Sequence, residues 1–200
     1  MADIKTFLKK VNPKNWVELS SPVTLGFAGL ALFALILGGL TGGASTRALF
    51  SIYRSSAADV LFYSRLFLHV LGHGDFTHYA ANMGMLLVLG PLVEKHYGSG
   101  RYLLMIALTA LVTGLFHILL SAGTVSLGAS GIVFMLILLS AASGRQSGKV
   151  PLSLLLVALI YLGQEIAGGI FQKDNISQLA HIIGGLCGLA FGLVFQKKSI

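Results

Sequence analysis

Residues 127–135 read Leu-Gly-Ala-Ser-Gly-Ile-Val-Phe-Met and open a long apolar run that continues to Ala142. Ser130 stands between Gly128 and Gly131, so little bulk surrounds its hydroxyl group. A small polar residue at the start of a membrane helix commonly serves tight helix packing. The alternative is a nucleophile, which needs a base within hydrogen-bond reach. The candidate base is His181, which lies in another apolar run among small residues.

The composition is that of a membrane protein. Of 200 residues, 55% are hydrophobic and 10% are charged, and the mean hydropathy is +0.83. Several apolar runs approach the roughly 20 residues that are needed to cross hydrocarbon. The net charge of +7 comes from scattered residues, which does not favour nucleic-acid binding. Cys187 is the single cysteine, so an internal disulfide is excluded.

Six apolar runs predict an all-α, polytopic bundle of six transmembrane helices. A long outer connection, residues 44–77, would join the first two helices through short interfacial helices. Residues 1–21 are predicted to be an amphipathic cytoplasmic tail without a signal peptide, residues 22–196 the membrane domain, and residues 197–200 a second cytoplasmic tail. Glu94, Lys95, His96 and Arg101 predict a charged turn. The predicted spans are 22–40, 78–93, 102–122, 128–142, 150–170 and 179–195.

Lysine and arginine predict the orientation of the bundle. With the N-terminus in the cytoplasm, ten of the fourteen basic residues lie inside and four outside, as the positive-inside rule favours. Both termini are then cytoplasmic, and a bacterial inner membrane is the expected location. The inner residues are Lys5, Lys9, Lys10, Lys14, Lys95, Arg101, Arg145, Lys149, Lys197 and Lys198; the outer are Arg47, Arg54, Arg65 and Lys173.

Polar residues of three predicted helices converge in this topology. Ser130, His181, His78 and Asn82 all lie within roughly 10 Å of the outer boundary, at ~1.5 Å rise per residue. His78 and Asn82 are four residues apart and share a helix face. Polar side chains inside a bilayer usually face the bundle interior or a wet cavity. A common polar site near the outer surface follows from this arrangement.

This pattern resembles the rhomboid family of intramembrane serine proteases. The similarity extends from about Arg65 to the end of the sixth predicted helix, and includes Arg65 and His69 in the outer connection. The motifs that carry it are Gly128-Ala129-Ser130-Gly131, His78-x-x-x-Asn82, Ala180-His181-x-x-Gly184-x-x-x-Gly188 and Val93-Glu94-Lys95-His96-Tyr97-Gly98-Ser99-Gly100.

The resemblance implies a Ser–His dyad, with Ser130 as nucleophile and His181 as general base. Asn82, His78 and the backbone near Gly128 and Ser130 are the expected oxyanion donors. Gly131, Gly184 and Gly188 would allow close packing of the two helices. Phe134 would stack on the histidine where family members often carry tyrosine. No cofactor or metal is expected, and the implied substrates are transmembrane proteins cut near the outer side.

Other interpretations stay open at this point. Asn82 also fits a helix-packing amide, and His78 an interfacial ring facing water. His69 and His73 suggest a metal cluster, but no HExxH pattern exists and glycines flank His73. His117 is expected to be hydrogen-bonded within the bundle. Glu165 either faces a wet cavity or reaches toward the interface.

Two other classes of function compete with a protease. A non-catalytic rhomboid-like protein that binds membrane clients would typically lack the serine or the histidine. A small transporter would use Glu165 and the intramembrane histidines. The family's suspected gate is the fifth helix, where Gly163, Gly168 and Gly169 would make the outer half pliable. The natural substrate and the oligomeric state are not predicted.

Overall fold

A computed structural model describes residues 20–121, 123–143, 152, 155–157, 159, 160, 163 and 175–195. Its described elements are helices, joined at one point by an isolated antiparallel bridge between Ile52 and Ser126. The helices are α1 (Pro22–Leu40), α2 (Ala44–Leu49), α3 (Val60–Leu68), a 3₁₀ turn (His69–Leu71), α4 (Phe76–Tyr97), α5 (Ser99–Leu120), α6 (Ser130–Ser143) and α7 (Asn175–Val194).

Local sequence explains where several helices begin and end. The Asp59 side chain accepts a hydrogen bond from the Leu61 amide at the start of α3, and Asp75 accepts one from the His78 amide at the start of α4. A side-chain oxygen at this position satisfies an amide that the helix itself leaves unpaired. Gly98, at φ +85°, separates α4 from α5 in a conformation that favours glycine.

Within the described ranges, three helices are long and apolar enough to cross a membrane: α1, α4 and α5. Their outer faces carry large exposed apolar side chains, for example Leu30, Phe33, Leu92 and Leu119. Such surfaces suit hydrocarbon and not water. α6 and part of α7 are shorter apolar helices. α6 is the most enclosed, because Ile132, Val133, Phe134, Met135, Leu136, Ile137 and Leu139 are all buried.

The predicted charged turn after the second span is wrong for Glu94. α4 continues through Tyr97, and Glu94 is 3% exposed in its last turn. The carboxylate accepts hydrogen bonds from the amides of Val23 and Thr24, from the Thr24 hydroxyl and from Ser99 Oγ, at 2.8 to 3.0 Å. Glu94 therefore joins the starts of α1 and α5 to the end of α4.

The other boundaries differ from prediction by a few residues. α1 has the predicted bounds, whereas α4 and α5 extend into the predicted turn until only Gly98 remains between them. The predicted fifth span, 150–170, lies largely outside the described residues, and so do Glu165, Gly168 and Gly169. Both predicted tails also lie outside them, apart from Ser20 and Ser21.

Candidate active site

The helices α6 and α7 pack backbone to backbone along a glycine face of α7. A Cβ atom at Gly184 would lie 2.8 Å from the carbonyl carbon of Gly131, and one at Gly188 would lie 3.0 Å from the amide nitrogen of Leu139 in α6. Both separations are too short for a side chain, so the contact requires glycine. Ser130 and His181 lie directly beside this contact. The packing therefore brings both side chains to one end of the helix pair.

Ser130 and His181 line a single cavity of about 480 Å³ together with His78 and Asn82. The Phe134 ring stacks on the His181 imidazole with centroids 4.5 Å apart and planes inclined by 6°. Phe134 is four residues after Ser130 and so shares its helix face. The stack holds the imidazole on the side of α6 that carries the hydroxyl. The lining residues that the structure describes include no Asp, Glu, Lys or Arg.

Gly128 brings the loop before α6 against the start of α4. Its φ of +125° lies outside the range that residues with side chains favour. A Cβ there would lie 2.8 Å from Nε2 of His78 and 3.9 Å from Nδ2 of Asn82. The Asn82 amide donates to the His78 carbonyl oxygen at 3.2 Å, which uses one of its two N–H groups. The predicted oxyanion residues therefore meet at one point beside Ser130.

The outer connection braces the loop that precedes Ser130. The Gly128 amide donates to the His69 carbonyl oxygen at 3.0 Å, and Ile52 and Ser126 exchange two backbone hydrogen bonds of 2.8 and 2.9 Å. The His69 ring is buried, and its Nδ1 lies 3.0 Å from the Arg65 carbonyl oxygen. That partner only accepts, so Nδ1 carries the proton. Burial lowers the pKa of His69 to about 4, which keeps the ring neutral.

Arg65 organises the outer connection from within. Its guanidinium is buried, donates to the Ala48 carbonyl oxygen and to Ser55 Oγ, and pairs with the Asp59 carboxylate. It also lies 4.5 Å from the centroid of the Tyr53 ring. The hydrogen bond from Arg65 holds the pKa of Asp59 below its usual range. One side chain thus fixes several turns of an otherwise irregular segment.

The remaining histidines have separate surroundings. His73 Nδ1 lies 3.1 Å from the Leu71 carbonyl oxygen, and its ring lies 5.0 Å from the ring of His78. Burial lowers the pKa of His73 to about 4. His117 Nε2 lies 3.2 Å from the Thr124 carbonyl oxygen, as expected of a residue hydrogen-bonded within the bundle. Over the described ranges, no group of three His, Cys, Asp or Glu side chains is placed to hold a metal ion.

Sequence reasoning did not identify two features of the site. One is the Ile52–Ser126 bridge, which joins segments 74 positions apart and has no local sequence pattern. The other is the contact between His73 and His78. Their spacing of five residues does not place them on one helix face, and they meet because the chain bends before α4.

The helical bundle and its polar cavity define the class of protein: a membrane protein whose polar site lies between apolar helices. Comparison with known families then identifies the group. A family model described as the Rhomboid domain matches residues 62–198, which is more than half of the chain. The protein belongs to the rhomboid family.

Similar proteins include three bacterial relatives that are named as rhomboid proteases. "Putative rhomboid protease YdcA" of Bacillus subtilis is 29% identical over 68% of this chain and 69% of its own length. Rhomboid protease GluP of Bacillus subtilis is 28% identical over 80% of this chain, but over 32% of its own length. Rhomboid protease GlpG of Salmonella newport is 32% identical over 65% of this chain and 48% of its own length. The last two relatives are thus much longer than the region shared with this chain.

Proposed function

We propose that this protein is an intramembrane serine endopeptidase that cleaves transmembrane segments of other proteins near the extracytoplasmic side. Ser130 is the nucleophile and His181 the general base. The observation that carries the proposal is the single cavity lined by Ser130, His181, His78 and Asn82. The membership of the rhomboid family and the protease names of its relatives support the same chemistry.

The reaction follows from the chemistry of these groups. The Ser130 hydroxyl attacks the carbonyl carbon of the substrate while the His181 imidazole takes its proton. The imidazolium then gives that proton to the departing amine, which leaves an acyl-enzyme. A water molecule, deprotonated in turn by His181, hydrolyses the ester and restores the hydroxyl. The stack with Phe134 keeps the imidazole oriented, a task that a carboxylate performs in a triad.

The oxyanion needs hydrogen-bond donors at the moment when it forms. The second N–H of the Asn82 amide, a ring N–H of His78 and the Ser130 backbone amide serve as these donors. Gly128 allows the donors to approach, because any side chain there would occupy the space of the His78 ring. Substrate segments must leave helical form locally, since a helix keeps its carbonyl groups in hydrogen bonds.

The proposed topology has six membrane spans and a long outer connection between the first two. The termini are cytoplasmic, and the membrane is the bacterial inner membrane. Water reaches Ser130 from the outer side, where the outer connection packs over the site. Substrate enters sideways past the fifth span, residues 150–170.

The test uses a fluorophosphonate probe, which forms a covalent bond with an activated serine. The wild type is labelled, and Ser130→Ala is not. Ser140→Ala is the matched control, because Ser140 is a buried serine of the same helix, about 15 Å further along it. Its labelling equals that of the wild type.

Two results would contradict the proposal. The first is a wild type that reacts neither with the probe nor with a model transmembrane substrate, as a non-catalytic client-binding protein would behave. The second is solute flux in proteoliposomes that persists in Ser130→Ala, as a transporter would show.

A further inference from the structure

A second cavity, here called the Arg47 cavity, adjoins the candidate catalytic cavity. Its volume is about 540 Å³, and it lies between the end of α1, the helix α2 and the loop before α6. Gly74, Val125 and Leu127 line both cavities. The two spaces are therefore neighbours with common walls.

Arg47 gives the second cavity its charge. It is an exposed residue of α2, and the described lining residues include no Asp, Glu or Lys. The other titratable lining residue, His73, is neutral at pH 7 because its pKa is about 4. In the part of the chain that the structure describes, the ion pair found is that of Arg65 with Asp59, which leaves Arg47 without a carboxylate partner.

The remaining walls leave room for a ligand. Much of the lining is glycine, including Gly38, Gly39 and Gly42 near the end of α1, so side chains take little of the space. The hydroxyl of Ser51, another lining residue, already donates to the Thr46 carbonyl oxygen at 2.8 Å. The guanidinium of Arg47 is therefore the cationic donor that an entering group would meet.

We propose that the Arg47 cavity binds an acidic side chain of the substrate close to the bond that is cut. This inference rests on the proposed protease function. A catalytic cavity of 480 Å³ is about 8 Å across, and an extended chain advances ~3.3 Å per residue. The recognised residue, which must reach beyond this cavity, therefore lies about two or more positions from the cut. Among the described residues, the lining of the catalytic cavity holds no Lys, Arg, Asp or Glu, so Arg47 in the adjoining cavity is the nearby charge that can discriminate between substrates.

The experiment compares substrates that differ at one position. A model transmembrane segment carries Glu, Gln or Lys at each position in turn around the cut. The wild type cleaves the best-placed Glu substrate with a kcat/KM about fivefold above its Gln counterpart, near the upper limit for a solvent-exposed ion pair. This preference shrinks as salt is added. Arg47→Gln removes the preference, and Arg47→Glu reverses it in favour of Lys.

Arg54→Glu is the matched control, because Arg54 is exposed in the same outer connection but lines neither cavity. It leaves the Glu preference unchanged. The reversal by Arg47→Glu also separates recognition from damage to the fold, since an unfolded variant would lose activity on all three substrates. Fluorophosphonate labelling of every variant reports the catalytic serine independently.

Three outcomes would overturn the inference. In the first, no position prefers Glu. In the second, the preference survives both Arg47 variants. In the third, Arg47→Glu changes all three substrates equally and only in vesicles that contain phosphatidylglycerol, which assigns the cavity to a lipid headgroup. If labelling persists in these cases, the protease proposal stands while the inference falls; loss of wild-type labelling would instead contradict the protease itself.

Discussion

Replacing Gly184 with alanine tests whether the glycine face of α7 sets the catalytic geometry. The new Cβ would lie 2.8 Å from the Gly131 carbonyl carbon and 2.9 Å from its Cα, where contact normally begins at 3.4 Å. The helices α6 and α7 must therefore separate by about 0.6 Å or more at this point. A displacement near 1 Å between reacting groups costs about a hundredfold in rate. We expect kcat/KM to fall by about that factor.

The assay is cleavage of a fluorogenic transmembrane substrate by purified protein in detergent. Gly29→Ala is the control, because it adds the same methyl group to α1, where a Cβ meets nothing within 4 Å. Thermal unfolding is measured in parallel, since overpacking also costs about 1–3 kcal/mol of stability. If Gly184→Ala retains activity within threefold of the control, the glycine contact does not position the dyad and the reasoning fails.

Three further predictions concern other parts of the molecule. Asn82→Ala slows cleavage by about 10²–10³ without lowering the melting temperature, because it removes one oxyanion donor; an unchanged rate removes Asn82 from the site. Glu94→Gln destabilises the fold by about 2–3 kcal/mol, because an amide cannot accept all the hydrogen bonds of the carboxylate. Thermal unfolding checks this against Lys95→Gln, an exposed neighbour, and equal melting temperatures would contradict it. The free energy of unfolding decreases as the pH is lowered from 6.5 to about 4. The reason is that the unfolded chain protonates His69 and His73 near pH 6.5, whereas burial keeps both rings neutral in the folded protein down to about pH 4. His69 alone accounts for about 3 kcal/mol, so His69→Gln reduces the fall in melting temperature across this range by about half, and an unchanged pH profile would count against its buried neutral state.

Much of the membrane architecture could be predicted from the hydropathy of the sequence. The bounds of α1 match the prediction because an apolar run between polar flanks has clear ends. The small residues of α7 indicated close packing, and the structure places Gly184 and Gly188 against the α6 backbone. Phe134 was expected to stack on His181 and does so.

The errors came from charged residues whose partners are distant in sequence. Glu94 beside Lys95 and His96 has the pattern of a solvated turn, yet its partners are Val23 and Thr24, about 70 positions earlier. No local pattern carries that information. The Ile52–Ser126 bridge was not predicted for the same reason, because it depends on how the outer connection folds back over the bundle.

The glycine contacts between α6 and α7 have a mechanical consequence. Where two peptide backbones touch directly, their spacing is set by van der Waals contact between backbone atoms and does not depend on which rotamers the neighbouring side chains occupy. A bilayer that thins, thickens or bends can therefore tilt the two helices together as one stiff unit. The Ser130 hydroxyl and the His181 imidazole would move with that unit. A change in the shape of the surrounding lipid would therefore leave the distance between these two groups unchanged.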